Sequence, residues 1–372
     1  MTLRIGLLAP PWVPVPPPAY GGTEAVIDDL ARALQTRGHH VELFTVGDST
    51  CPVRRNWLFP SARVAMGDST DEAAHALAGY EALSDMDIVH NHTVLGPLLL
   101  APTRRQGPPV VTTHHLRFTP AIRRVMVEAA RTSSIVAISR AQAQTAETVP
   151  IRAVIHHGLN LQAYQRGSGN GGYLAFVGRM CADKGVDTAV RVAKQAGLPI
   201  VIASKMRTPA EQEFFRERVA PLLGPDDPPP QELPLEARIE LLRGATALVN
   251  PIRWPEPFGL VMIEALAAGT PVITRPCGAA PEIVEDGRTG FVRETENGLI
   301  TAVERIGEID REVCRAVAEE RFGADRMARD YEDLYRSTLG DGRRRHPMLT
   351  RGTPGVPNLH LRTPEPAADA TG

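Results

Sequence analysis

The sequence is sparing with cysteine, with net charge and with long apolar runs. Its four cysteines, Cys51, Cys181, Cys277 and Cys314, lie far apart and include no CxxC pair, so neither a zinc knuckle nor a disulfide framework is expected. A reducing cytoplasm suits that usage. The formal net charge is only -2, which points to no nucleic-acid or membrane partner. No stretch approaches the ~20 apolar residues of a membrane span. The amino-terminal run is short and passes straight into prolines, unlike a secretory signal. What is present is a 372-residue chain with 43% hydrophobic residues. At roughly 150 residues per domain this allows two domains, each with its own core.

The order of apolar segments is strand, loop, helix, repeated. Residues 4–9, 41–46, 87–90, 110–113 and 135–138 read as short buried strands. Between the first two, a helix over 23–35 carries Val26, Ile27, Leu30, Ala31 and Leu34 on one face. Residues 165–172 hold four glycines and read as a linker. The pattern then restarts, with strands at 173–177, 199–203, 245–249 and 271–274 and helices at 186–196 and 259–268. Two Rossmann-like α/β domains follow, each a doubly wound parallel sheet, at 1–164 and 165–324. A helix over 326–339 closes the fold, and the proline-containing stretch 340–372 reads as a disordered tail. Ligands of such sheets sit beyond the carboxyl ends of the strands, so two facing domains make a cleft.

The segment 254–272 is the most informative. Glu256 lies in a loop before a helix, and Glu264 lies eight residues on, about one turn in. The amides of Phe258, Gly259 and Leu260 form the helix start, where free N–H groups and the dipole favour phosphate. Carboxylates beside it accept hydrogen bonds from sugar or ribose hydroxyls. Arg179 directly follows a strand and Lys184 comes soon after it, as cations placed for a diphosphate would. Fixed charges of this kind stabilise a leaving group most as its charge grows. Lys205 follows the strand 199–203 and is either a third phosphate contact or a surface lysine.

In this arrangement the chain resembles glycosyltransferase family 4, a family of the GT-B fold class. The resemblance runs from about residue 4 to 339. It is carried by the two spaced glutamates, by Gly178-Arg179 with Asp183-Lys184-Gly185, by Gly21-Gly22-Thr23-Glu24, and by 278–284 with Pro281-Glu282-Ile283. It implies an acceptor domain followed by a nucleotide-sugar domain, with a final helix (325–339) crossing back to the first. It implies a glycine loop at Gly21 and Gly22, a diphosphate clamp of Arg179 and Lys184, Glu256 on the transferred sugar and Glu264 on the ribose. It also implies a functional histidine at the end of strand 110–113, for which His114 is taken and His115 is the neighbour.

The expected activity is transfer of a hexosyl group, glucose-type and from a UDP-sugar, to a hydroxyl acceptor with retention of configuration. No nucleophilic carboxylate is evident on the acceptor side, so front-face return through an oxocarbenium-like ion pair is expected. Cations take the place of a metal in that scheme, and no cofactor beyond the nucleotide sugar is expected. His90 and His92 bring no acidic third ligand with them, and Asp85-Met86-Asp87 stands at a strand entry rather than a strand end. Ser139 reads as a helix N-cap. The alternatives are a non-catalytic nucleotide-sugar binder and an epimerase or phosphorylase on the same fold. Two departures from the resemblance stand out. A proline-rich run, 224–234, replaces a strand near the nucleotide base, and Asn160 stands where Asp is usual.

Overall fold

The computed structural model describes residues 2–19, 21–100, 107–224 and 227–344. The first domain runs β1 (Arg4–Leu8), α1 (Gly22–Thr36), β2 (His40–Thr45), β3 (Arg54–Trp57), α2 (Ser69–Ala82), β4 (Ile88–Asn91), β5 (Val110–His114), α3 (Pro120–Ala129), β6 (Ser133–Ala137), α4 (Arg140–Gln144) and β7 (Ile151–Val154). Its strands form one parallel sheet in the order β3-β2-β1-β4-β5-β6-β7. The order reverses at β1, so the loop from β1 into α1 opens at a switch point.

The second domain runs β8 (Leu174–Arg179), α5 (Val186–Gln195), β9 (Ile200–Lys205), α6 (Pro209–Phe214), α7 (Leu235–Gly244), β10 (Ala247–Asn250), α8 (Leu260–Ala267), β11 (Val272–Thr274), α9 (Ala280–Ile283), β12 (Gly290–Val292), α10 (Glu296–Glu304) and α11 (Arg311–Arg321). Its parallel sheet has the order β12-β11-β10-β8-β9. Two parallel α/β domains are therefore present, as the strand–helix alternation requires.

Each sheet is buried on both faces, which is why its central strands are continuous apolar runs. Ile5, Leu7 and Leu8 of β1 are fully buried, and so are Leu174, Ala175 and Phe176 of β8 to within 1%. On α1 the buried residues include Val26, Ile27, Leu30, Ala31 and Leu34, the face expected from the period.

The last helix, α12 (Ala324–Arg344), packs on the first domain, where Met327, Tyr331, Leu334 and Tyr335 join Ile27 and Leu30 in one core. Burying each such side chain contributes roughly 1.5–3 kcal/mol. The helix continues to Arg344, five residues beyond the expected stop at 339, and passes through Gly340. Glycine there costs only about 1 kcal/mol in a helix, too little to end one already docked. The rest of the expected tail, 345–372, lies outside the described residues.

Prolines keep 227–234 from forming a strand, but Gln231 still makes a one-residue parallel bridge to Ala203 at the outer edge of β9. Its carbonyl accepts from Ser204 N at 2.8 Å. An edge position tolerates that composition, whereas a central one would not.

Candidate active site

The second domain presents charge at its strand ends. Arg179 and Lys205 are register partners at the ends of β8 and β9. The Arg179 side chain is 43% exposed and its nearest acid, Glu211, lies 4.0 Å away. Lys184 arrives from the short turn that follows β8. That turn is closed by Gly185 at φ +72, where a Cβ would come within 2.4 Å of the Pro251 carbonyl. Its stem passes over Gly178, with Cγ 3.7 Å from where a Cβ on that glycine would sit. Lys184 thus lies beside Arg179 at the mouth of β8.

The Lys184 ammonium donates to Glu256 and lies 5.6 Å over the Trp254 ring. Trp254 Nε1 donates to the same carboxylate oxygen at 3.0 Å. Two of the expected site residues therefore meet directly. The Glu256 loop is clamped from behind by the loop after β11. There Gly278 (φ +58) passes so close that a Cβ would come within 2.3 Å of the Glu256 backbone, and Ala279 N donates to Glu256 O at 3.0 Å. Gly259 (φ +104) turns the chain into α8, whose amino terminus carries no side-chain cap. Its first amides and positive dipole end are available to an anion.

Glu264 occupies a different environment. It is 7% exposed and receives both prongs of Arg238, at 2.9 and 3.1 Å. Tyr164 is buried nearby, and burial and then Glu264 push its hydroxyl well above the usual range. The two glutamates thus have separate surroundings, Glu256 with Lys184 and Trp254, Glu264 with Arg238. The Phe258 side chain is buried against His157, ring centroids 5.0 Å apart, so only its backbone is placed for a ligand.

Across the cleft, Gly22 faces the start of α8. A Cβ there would lie 3.1 Å from Leu260 Cδ1. Glu24, in the first turn of α1, is buried. Burial pushes its carboxyl up to about 7, against the pull of its own backbone N–H and of Lys205. Lys205 is therefore felt from the first domain as well as the second.

The first domain offers imidazoles rather than charges. His114 ends β5, is 2% exposed and packs on Phe118 with centroids 4.6 Å apart. Burial pulls it down to about 4, and its Nε2 is buried without a hydrogen-bond partner. His115, half-buried, lies with Nε2 2.9 Å from His92 Nδ1 and stacks on His157 at 5.2 Å. His157 in turn meets Phe258, so His115 rather than His114 is the ring joined to the loop that carries Glu256. Burial and then His114 pull His115 down to about 3, so it is neutral at pH 7. Behind it, His90 bonds Thr113 and Tyr335 at 2.7 Å each, and Thr113 bonds Tyr331, which ties α12 to this layer. Among the described residues no three His, Cys, Asp or Glu side chains gather as a metal site.

Two smaller readings are settled by the geometry. The Ser139 hydroxyl caps α4 by accepting from Gln142 N at 2.9 Å. Asp87 accepts from Arg4 N at 2.7 Å, at the end of the sheet away from the cleft.

Residues 20–163 match the family model for glycosyltransferase family 4, and residues 165–319 match the model for glycosyl transferases group 1. The chain belongs to glycosyltransferase family 4.

Among curated relatives, this family 4 member is 26% identical over 407 residues to the D-inositol 3-phosphate glycosyltransferase of Streptomyces scabiei. That alignment covers 87% of this chain and 88% of the relative. It is 32% identical over 174 residues to the glycogen synthase of Thermus thermophilus, covering 45% of this chain and 39% of that enzyme. The match thus spans about two-fifths of the length of the glycogen synthases. Among solved structures, AviGT4, a glycosyltransferase of avilamycin A biosynthesis, superposes with a TM-score of 0.71 at 23% identity, over 91% of this chain and 98% of its own. HepE of Anabaena, solved with UDP-glucose, gives 0.69 at 17% identity, over 90% of this chain and all of its own. These likenesses show the GT-B fold.

Arg238, Tyr164, Trp254 and His157 are the site residues that sequence reasoning passed over. Arg238 and Glu264 are 26 positions apart on different helices, and no local pattern links them. The family's departure at Asn160 is local: its side chain accepts from Gln162 N at 3.2 Å and caps one turn of the interdomain linker.

Proposed function

We propose that this family 4 glycosyltransferase moves a hexosyl group, glucose-type, from a UDP-sugar to a hydroxyl acceptor with retention and without a metal. One observation carries the reading. Arg179 and Lys205 end side by side on β8 and β9, with the Lys184–Glu256 pair at the same mouth. A diphosphate seated there meets three cations, each worth on the order of 4 kcal/mol at ~4 Å and an effective dielectric of 20. The uncapped start of α8 adds its dipole. HepE, of the same fold, was solved with UDP and with UDP-glucose, which supports the choice of donor.

In this scheme Lys184 and the Trp254 N–H hold Glu256 by one oxygen and leave the other for sugar hydroxyls. Glu264, fixed by Arg238, receives the ribose with its remaining lone pairs. As the glycosidic bond breaks, the charge developing on the diphosphate is met by cations already in place, which need no reorganisation. The acceptor hydroxyl enters from the first domain and attacks the face the diphosphate is leaving, which takes up its proton. We assign His115, the imidazole joined to the donor loop, rather than His114, to hydrogen-bond the sugar or acceptor in its neutral form. We place the enzyme in the cytoplasm. The four cysteines, all free and two of them buried, support a reducing compartment.

The test is a thermal-shift screen of nucleoside diphosphates and nucleotide sugars, followed by mass spectrometry of products with excess EDTA present. Stabilisation by UDP, and transfer that survives the chelator, are the expected results. Preference for another base, or complete loss restored by magnesium or manganese, would reject the donor or the metal-free scheme respectively.

A further inference from the structure

Glu282 of α9 belongs to the second domain, yet its carboxylate is satisfied entirely by the first. Oε1 accepts from Ala141 N at 2.6 Å and Oε2 from Arg140 N at 2.9 Å, so it covers the first two amides of α4. Oε2 also meets His156 Nε2 at 2.9 Å. These bonds outweigh the opposing effect of burial and hold the carboxyl below its usual range. Ser139 occupies the cap position of the same helix with its own hydroxyl, so Glu282 satisfies amides that Ser139 does not reach.

Glu282 is also braced on its own side. Arg321 of α11 donates to its carbonyl and forms an ion pair with the nearby Glu285. One turn earlier, Ala279 donates to the Glu256 carbonyl, and Gly278 lies against the Glu256 backbone. A continuous rigid path therefore runs from α4 and His156 of the first domain, through Glu282 and α9, to the loop that carries Glu256.

We infer that Glu282 is a positioning residue that latches the two domains, setting the Glu256 loop at a fixed distance from the first domain's imidazoles. Its effect on turnover rests on the transfer reading above, whereas its effect on domain closure does not. Charge-assisted bonds are strong and directional, so two to backbone amides and one to the His156 ring fix an orientation as well as a distance. Misplacing reacting groups by about 1 Å costs up to 10²-fold in rate, so a loosened latch should act on kcat. The diphosphate cations all stand on the second domain and are untouched, so affinity for the nucleotide should persist.

The experiment compares wild type, Glu282→Ala and Arg140→Pro by small-angle scattering without ligand, by calorimetry with UDP and by steady-state kinetics. Proline is well tolerated at the first helical position after an extended residue such as Ser139, and it deletes one latch donor without touching the second domain. Glu282→Ala is expected to enlarge the radius of gyration and lower kcat about tenfold, with the UDP dissociation constant within about twofold of wild type. Arg140→Pro should do the same more weakly, and the double variant should be no worse than Glu282→Ala alone. Unchanged scattering in Glu282→Ala overturns the latch, whether or not any transfer is detected. A fall in UDP affinity that matches the fall in turnover overturns it as well, by making Glu282 part of the nucleotide site. If wild type transfers nothing but opens on Glu282→Ala, the latch stands and the activity assignment alone fails.

Discussion

The two domains share a fold and differ in what they bring to the cleft. The second places Arg179, Lys184, Lys205 and Glu256 at its strand ends, most of them partly exposed. The first places His115 and His157 there, with His114 packed behind on Phe118, all held neutral by burial. Parallel strands and helix starts favour anions in either case, so the fold does not set the difference. The side chains do. A charged face suits a leaving group that gains charge, and a neutral face suits a hydroxyl that must be held without ionising. Under the proposed transfer, this asymmetry is what separates an acceptor side from a donor side.

The most damaging change should be on the charged face. Arg179→Ala and Lys184→Ala are each expected to lower kcat/KM by roughly 10²–10³, the usual size for one preorganised electrostatic donor. The double variant should be less than additive, since both cations serve one leaving group. Steady-state kinetics on folded variants checks this. Lys184→Ala should also lower kcat through Glu256, which loses its partner.

On the neutral face the effect should be smaller and should separate two adjacent residues. His115→Ala is expected to reduce kcat by about 10², the size for losing one preorganised hydrogen-bonding group. His114→Ala should leave kcat within about threefold and lower the melting temperature, because its ring fills a site beside Phe118. The reverse ranking would return the role to His114.

Arg238→Ala breaks the bidentate pair and leaves Glu264 buried and alone, at a cost of about 3 kcal/mol to stability. UDP affinity should fall about tenfold with it, whereas affinity for inorganic pyrophosphate should not. Denaturant melts and calorimetry measure the two parts separately.

Glu24 gives the smallest signal, read through pH. Its folded pKa of about 7 lies above the unfolded value, so its contribution is complete below about pH 4.5 and is lost as pH rises through 7. Glu24→Gln should therefore stabilise the protein at pH 8, by on the order of 2–3 kcal/mol, and change little at pH 4. Equal effects at both pH values would show that the carboxyl does not titrate there.

The sequence made this asymmetry only half legible. Glycines and prolines frame the charged loops, and Arg179, Lys184 and Glu256 stand at element boundaries where spacing can be read. The α1 face and the central strands were equally plain, because burial on both sides of a parallel sheet leaves unbroken apolar runs. The edge strand β3, with Arg54-Arg55-Asn56-Trp57, has no such run and gives no signal. Helix α2 is rich in alanine with weak sidedness, so its period is hard to see. Partners formed by tertiary packing were invisible: Arg238 for Glu264, His157 for His115, and α4 for Glu282. A pair of adjacent histidines at a strand end is inherently ambiguous, because alternation along the strand sends neighbours to opposite faces and only packing says which face is the cleft.

The most direct test of a charged donor face opposite a neutral acceptor face is calorimetric titration of UDP and of uridine into wild type, Arg179→Ala and His115→Ala. Arg179→Ala should weaken UDP at least tenfold and leave uridine unchanged, while His115→Ala should alter neither. UDP bound equally well by Arg179→Ala, or lost by His115→Ala, would contradict that arrangement.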